Sequence, residues 1–128
     1  MSRASERGAV AVEFAIVAPV LVMLVLGIVE FSRAYGVQAS LSAAAREGVR
    51  VMAITGNSTT AKNVAKTTAS LSPALQDTDI TFGAACPATP AVGTSPQVTV
   101  TITYSLTTIT GIAGPFAMTS KGAMLCGG

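Results

Sequence analysis

The chain has 128 residues and a net charge of +2; half its residues are hydrophobic and only 11% are charged. That length fits one modest domain, and a weak, scattered positive charge with two Tyr and four Phe gives no basis for binding nucleic acid. There is no His, which removes the commonest general base and metal ligand and rules out a Ser-His-Asp arrangement.

In chain order, residues 1–8 form a short polar leader with Arg3, Glu6 and Arg7. Residues 9–30 follow as a transmembrane helix. From Ala9 to Val29 the only charge is Glu13 and the only breaker is Pro19. About 20 apolar residues span the hydrocarbon core, and Pro19 is expected to kink the helix there. A cleavable secretory signal is the rival reading. Its apolar region is about 7–15 residues with a small-residue cleavage site just after it. Here the run is longer, contains an acid, and is followed by small residues only at Ser42–Ala45.

A charged side chain near the middle of a membrane helix costs about 2.5–3.5 kcal/mol, so Glu13 needs a reason. Gly8 presents backbone without a side chain, which a peptidase can approach closely. Cleavage between Gly8 and Ala9 would free the amine of Ala9. Glu13 of one subunit could then pair with that amine on a neighbour, and a paired buried acid is tolerable where a lone one is not. Alternatively, Glu13 lies near the cytoplasmic headgroups and reaches water. Spacing alone does not choose between them.

Residues 31–55 extend the helix beyond the membrane. Phe31, Ala34, Tyr35, Leu41, Ala45, Val49 and Met52 recur at three- and four-residue steps, and Glu30, Arg33, Gln38, Arg46 and Arg50 fill polar positions. If Ala9 to about Ile54 is one helix, it is about 70 Å long, so its outer half must pack on something other than lipid. Arg46, Glu47 and Arg50 read either as a partner-contact face or as a solvated surface. Gly48 either admits another backbone or is a tolerated weak point.

Residues 56–128 read as a small α+β head. Ser58-Thr59-Thr60 offers an N-cap cluster, followed by a short amphipathic helix with Ala61, Val64, Ala65, Thr68 and Leu71 inward and Lys62 and Lys66 outward. A short strand is expected over Thr78–Phe82. The stretch Ala84–Ser95, with Pro87 and Pro90, reads as a loop. The clearest strand is Gln97–Thr107, with Val98, Val100, Ile102, Tyr104 and Leu106 on one face. Ala117–Leu125 reads as a final strand. The apolar turn Ile109–Phe116 is either an interaction patch or, as favoured here, a plug in which Ile112 and Phe116 close the core edge. Asp77 and Asp79 are two ligands at most, so a solvated turn is the better reading than a cation site.

The two cysteines, Cys86 and Cys126, form no thiolate cluster, which argues against structural zinc. An even pair in a small exported domain reads most simply as one disulfide; two free buried thiols are the alternative. No metal, cofactor, small-molecule substrate or catalytic residue is expected, and the chain is not read as an enzyme.

The basic leader, Gly8, and Glu13 five residues later resemble type IV prepilin signal sequences. Three blocks are more specific: Val12–Leu21, Leu26–Tyr35 and Ala43–Arg50, reading VEFAIVAPVL, LGIVEFSRAY and AAAREGVR. Together they resemble the TadE-like family, the minor pilins or pseudopilins of tight-adherence (Tad/Flp) systems. The resemblance implies a type IV pilin-like fold and cleavage by a prepilin peptidase. It also implies a single-pass position in the cytoplasmic membrane, N-terminus in the cytoplasm and head outside, or a place in the extracellular pilus. The implied partners are other pilins, the Tad assembly platform and membrane lipid. A departure from the major Flp pilins, Glu13-Phe14 in place of Glu-Tyr together with a large head, implies a minor component. The alternative is a signal-anchored extracellular binding module that never enters a filament.

Overall fold

The computed structural model describes residues 2–127, with side chains from Glu6 onward. The start of the expected leader, Met1 and the side chains of residues 2–5, therefore lies outside the described residues. Helix α1 (Ser2–Thr55) and helix α2 (Ser58–Ala69) are followed by a 3-10 turn (Asp77–Asp79) and strands β1 (Ile80–Phe82), β2 (Gln97–Leu106) and β3 (Phe116–Leu125). This is the expected α+β arrangement. Contacts divide the chain into two compact units, one up to Arg33 and one from Ala34 onward.

The first unit is the N-terminal part of α1. Among the described residues the helix runs from Ser2, so it takes in residues 2–8 ahead of Ala9. Its large apolar side chains, Val10 through Phe31, are exposed.

The second unit is the head. Its part of α1 buries Leu41, Ala44, Ala45, Val49, Met52 and Ala53, with Ala34 and Val37 half-buried against them. Two expected members of the stripe are absent from it: Phe31 and Tyr35 are 77% and 74% exposed. The buried row runs through Ala34, Leu41 and Ala45, and Tyr35 lies one residue, about 100° of helix, off that row.

Helix α2 is capped by Asn57, one residue ahead of the expected Ser-Thr-Thr cluster; its Oδ1 accepts the Thr60 N–H at 3.1 Å. Asn in extended backbone satisfies one of the orphan amides at a helix start. The helix ends at Ala69, before Leu71, where Ser70 turns left-handed and donates its N–H to Lys66 O. Its inward face is a row of alanines, Ala61, Ala65 and Ala69. Such small side chains let α2 lie close to α1. At Gly48 an added Cβ would stand 3.1 Å from Ala65 Cβ and 3.6 Å from Ala61 O. Gly48 thus serves close approach, but of a helix in its own chain.

The sheet is antiparallel in the order β1-β2-β3. Ile80 opposes Ile102, and Val100 opposes both Phe82 and Gly122. All five expected inward residues of β2 are buried. Strand β3 packs along α1 at two points. A Cβ on Gly122 would meet Ala45 O at 2.9 Å, and Gln38 Nε2 donates to Thr119 O at 3.2 Å. Tyr104 donates its hydroxyl to Pro73 O, tying the segment after α2 to the sheet.

The acidic pair adopts the turn reading, and the strand that begins at Ile80 is shorter than expected. Asp79 Oδ2 accepts the Gln76 N–H and closes a capping box. Asp77 meets both lysines of α2: Lys66 Nζ lies 2.6 Å from its Oδ1 and Lys62 Nζ donates to its carbonyl. The Lys66 hydrogen bond and charge, aided by the charge of Lys62, hold the Asp77 carboxyl below the usual range. Its folded-state pKa is depressed, so this contribution to stability is present above the ordinary aspartate pKa of about 3.9 and is lost as pH falls through the folded-state value. Thermal melts over acidic pH should show wild type losing more stability than Asp77→Asn below pH of about 4. Parallel melting curves for the two proteins would show the pair to be inert.

The turn between β2 and β3 corrects another expectation. Ile112 is 84% exposed and Phe116 is only partly covered. Neither belongs to the core, whose members at that end of β2 are Tyr104 and Leu106.

Candidate functional site

The residues of greatest functional interest lie on one continuous helix. Gly8, Ala9, Glu13 and Pro19 are all on α1 and all exposed. Among the described residues nothing lies within 4 Å of a Cβ placed on Gly8. Glu13 lies one helical turn beyond Ala9. Around it Val10, Val12, Phe14, Ile16 and Val17 are each more than 60% exposed. Among the described residues no cation pairs with it. The site is therefore a single carboxylate on an apolar rod.

Pro19 stands inside α1 without interrupting it. Lacking an N–H, it cannot bond the carbonyl four residues back, that of Ala15. The segment also contains an 18-residue window of mean hydropathy 2.7, none of it buried. Exposure of so much apolar surface is costly in water, at about 25 cal/mol per Å², and suits lipid. One long apolar N-terminal helix fits a single-pass membrane anchor.

Arg46, Glu47 and Arg50 are on α1 in the head. Arg50 Nη1 lies 3.3 Å from Glu47 Oε1, with side chains 57% and 41% exposed. An exposed pair three residues apart contributes only a few tenths of a kcal/mol, on the order of 0.3–0.5. Arg46 is exposed beside it.

Cys86 and Cys126 are joined as a disulfide, with Cα atoms 5.5 Å apart. It links the loop after β1 to the end of β3. No group of His, Cys, Asp or Glu among the described residues could hold a metal.

Two residues that position the head escaped sequence reasoning. Gln38 was a plain polar position; it bonds the backbone of β3 instead. Gly122 carried a signal, since a glycine inside a strand often marks close approach of another backbone.

An apolar, exposed N-terminal helix carrying one acid, continuous with a helix of a small disulfide-bonded α+β head, fits a protein with a single-pass membrane anchor. Residues 8–50 match the family model described as TadE-like protein. The match begins at Gly8 and ends at Arg50, about a third of the chain; it takes in the apolar segment and the first part of the packed helix. The resemblance read from the three sequence blocks is borne out over that segment, and it points to a protein associated with Tad pili. No curated protein and no solved structure matched the chain.

Proposed function

We propose that the chain is a minor pilin, or pseudopilin, needed to assemble a Tad-type pilus through contacts between subunits. The observation that carries this reading is the coincidence of the family match with the chemistry of its first residues. The matched segment opens at Gly8, and the one acid of the apolar run follows five residues later. In this reading a prepilin peptidase cuts between Gly8 and Ala9. The released amine of Ala9 then pairs with Glu13 of a neighbouring subunit inside the membrane, where an unpaired carboxylate would be expensive. Pro19 bends the helix at the free carbonyl of Ala15. Arg46, Glu47 and Arg50 form a surface for partner pilins or the assembly platform. The protein acts structurally and not as an enzyme, with its N-terminus in the cytoplasm and its head outside the cytoplasmic membrane.

The test follows mass and piliation together. Wild type should lose the mass of residues 1–8, and Gly8→Leu should keep it. Glu13→Ala should still insert in the membrane but reduce pili several-fold. Wild type that keeps residues 1–8, with both variants fully piliated, would sink the proposal. It would leave the signal-anchored binding module as the remaining reading.

A further inference from the structure

We propose that the turn joining β2 to β3 is a second membrane contact, dipping its apolar tip into the lipid headgroup boundary. The inference rests on the membrane-anchor reading of residues 9–30 and adds a second point of contact to it.

The first observation is direction. Gly122 lies against Ala45, and Thr119 O accepts from Gln38. Three strand residues cover about 10 Å, as do the seven helix residues from Gln38 to Ala45 at about 1.5 Å each. Strand β3 therefore runs alongside α1 in the same sense. Its first residue, Phe116, and the turn ahead of it lie towards Ala34, the end at which the chain arrives from the apolar segment.

The second observation is composition. Between Asp79 and Lys121 there is no charged residue at all. At the turn Ile109 is 64% exposed and Ile112 is 84% exposed, while Phe116 is partly so. Tyr35, 74% exposed, is near the same end of the head; tyrosine, apolar in body and polar at its tip, is enriched at membrane interfaces.

The third observation is the backbone. A loop can leave water only if its amides are satisfied. Here the Gly111 N–H donates to Thr108 Oγ1 at 3.1 Å, and the Ile112 N–H donates to Thr110 Oγ1 at 3.4 Å. Gly111 and Gly114 supply the positive φ values the turn requires. The tip thus offers isoleucines outward with part of its polar backbone already served.

A bilayer accounts for these features together. It needs no specific pocket, takes uncharged apolar tips to a depth of about 5–10 Å, and lies on the side where the chain arrives. A second copy of this chain is the rival occupant.

The experiment uses the full-length chain in lipid nanodiscs at one copy per disc. Single cysteines at Ile112, Val92 and Leu21 carry an environment-sensitive fluorophore; the native cysteines are already joined. Val92, in the β1–β2 loop, is fully exposed. Leu21 should report hydrocarbon, Val92 water, and Ile112 an interfacial environment with several-fold more quenching by lipid-borne quenchers than Val92. An Ile109→Ser background should weaken the Ile112 signal while leaving the melting temperature unchanged. Overturning results are distinct. If Leu21 reports lipid and Ile112 reports water, the tip proposal fails and the anchor stands. If Leu21 also reports water, the anchor reading fails with it. If the Ile112 signal appears only with several copies per disc, the occupant is another copy, and the lipid contact is refuted.

Discussion

Replacing Cys86 and Cys126 together by serine is expected to lower the stability of the head by about 3–4 kcal/mol. The bond spans 40 residues, and in the chain-entropy account a loop of that size is costly to leave open in the unfolded state. The native structure gives a second reason. Residues 87–95, between β1 and β2, are all exposed. Among the described residues, the disulfide at Cys86 and the Cys126 N–H bond to Pro96 O hold the two ends of this stretch. A head of fewer than 100 residues has a small core, so the loss is a large share of its stability. At roughly 4–8 °C per kcal/mol, the melting temperature should fall by roughly 12–30 °C. Calorimetry of the full chain in detergent, oxidised against reduced and against the double serine variant, measures it. A change of only a degree or two would mean that β1 and β2 hold their connection without the bond.

The second large effect is expected at Gly122. A Cβ there would lie 2.9 Å from Ala45 O, 3.2 Å from Ala45 C and 3.3 Å from Val100 Cγ1. The first two atoms belong to the backbone of a helix and cannot swing aside. Gly122→Ala should cost about 1–3 kcal/mol, and Gly122→Val more, because the strand must lift from α1. Gly36 is the control. Nothing lies within 4 Å of its Cβ position, so Gly36→Ala should stabilise the helix by about 0.5–1 kcal/mol. Chemical denaturation of the three variants separates the terms. If Gly122→Ala unfolds at the same denaturant concentration as wild type, then β3 does not rest on α1 at this point.

These two features mark where the sequence was readable and where it was not. The alternation of Val98 to Leu106 named the buried face of β2 correctly, because period-two patterning has one interpretation when one face is covered. The spine from Leu41 to Met52 was legible for the corresponding reason at period 3.6. Tyr35 and Ile112 were misread because an aromatic or isoleucine looks like core wherever it stands; only three-dimensional neighbours show it facing outward. The cap of α2 was misplaced by one residue because Asn57, Ser58, Thr59 and Thr60 can all serve, and backbone angles decide among them. Gln38 was opaque because its partner is a backbone atom 81 residues away. At the N-terminus the reverse held: Gly8 and Glu13 stood out in the sequence, and the fold adds only that they share one open helix.

The open flank of β3 has a consequence of its own. Among the described residues the strand pairs in the sheet only with β2, so its other flank forms no strand ladder, and Gln38 reaches it at Thr119. Exposed flanks of this kind recruit other strands, and proteins usually guard them with several charges. After Asp79 this chain has one, Lys121, and it sits midway along β3. Lys121 is therefore the one charged side chain on β3 that works against pairing of this flank with a strand of another molecule.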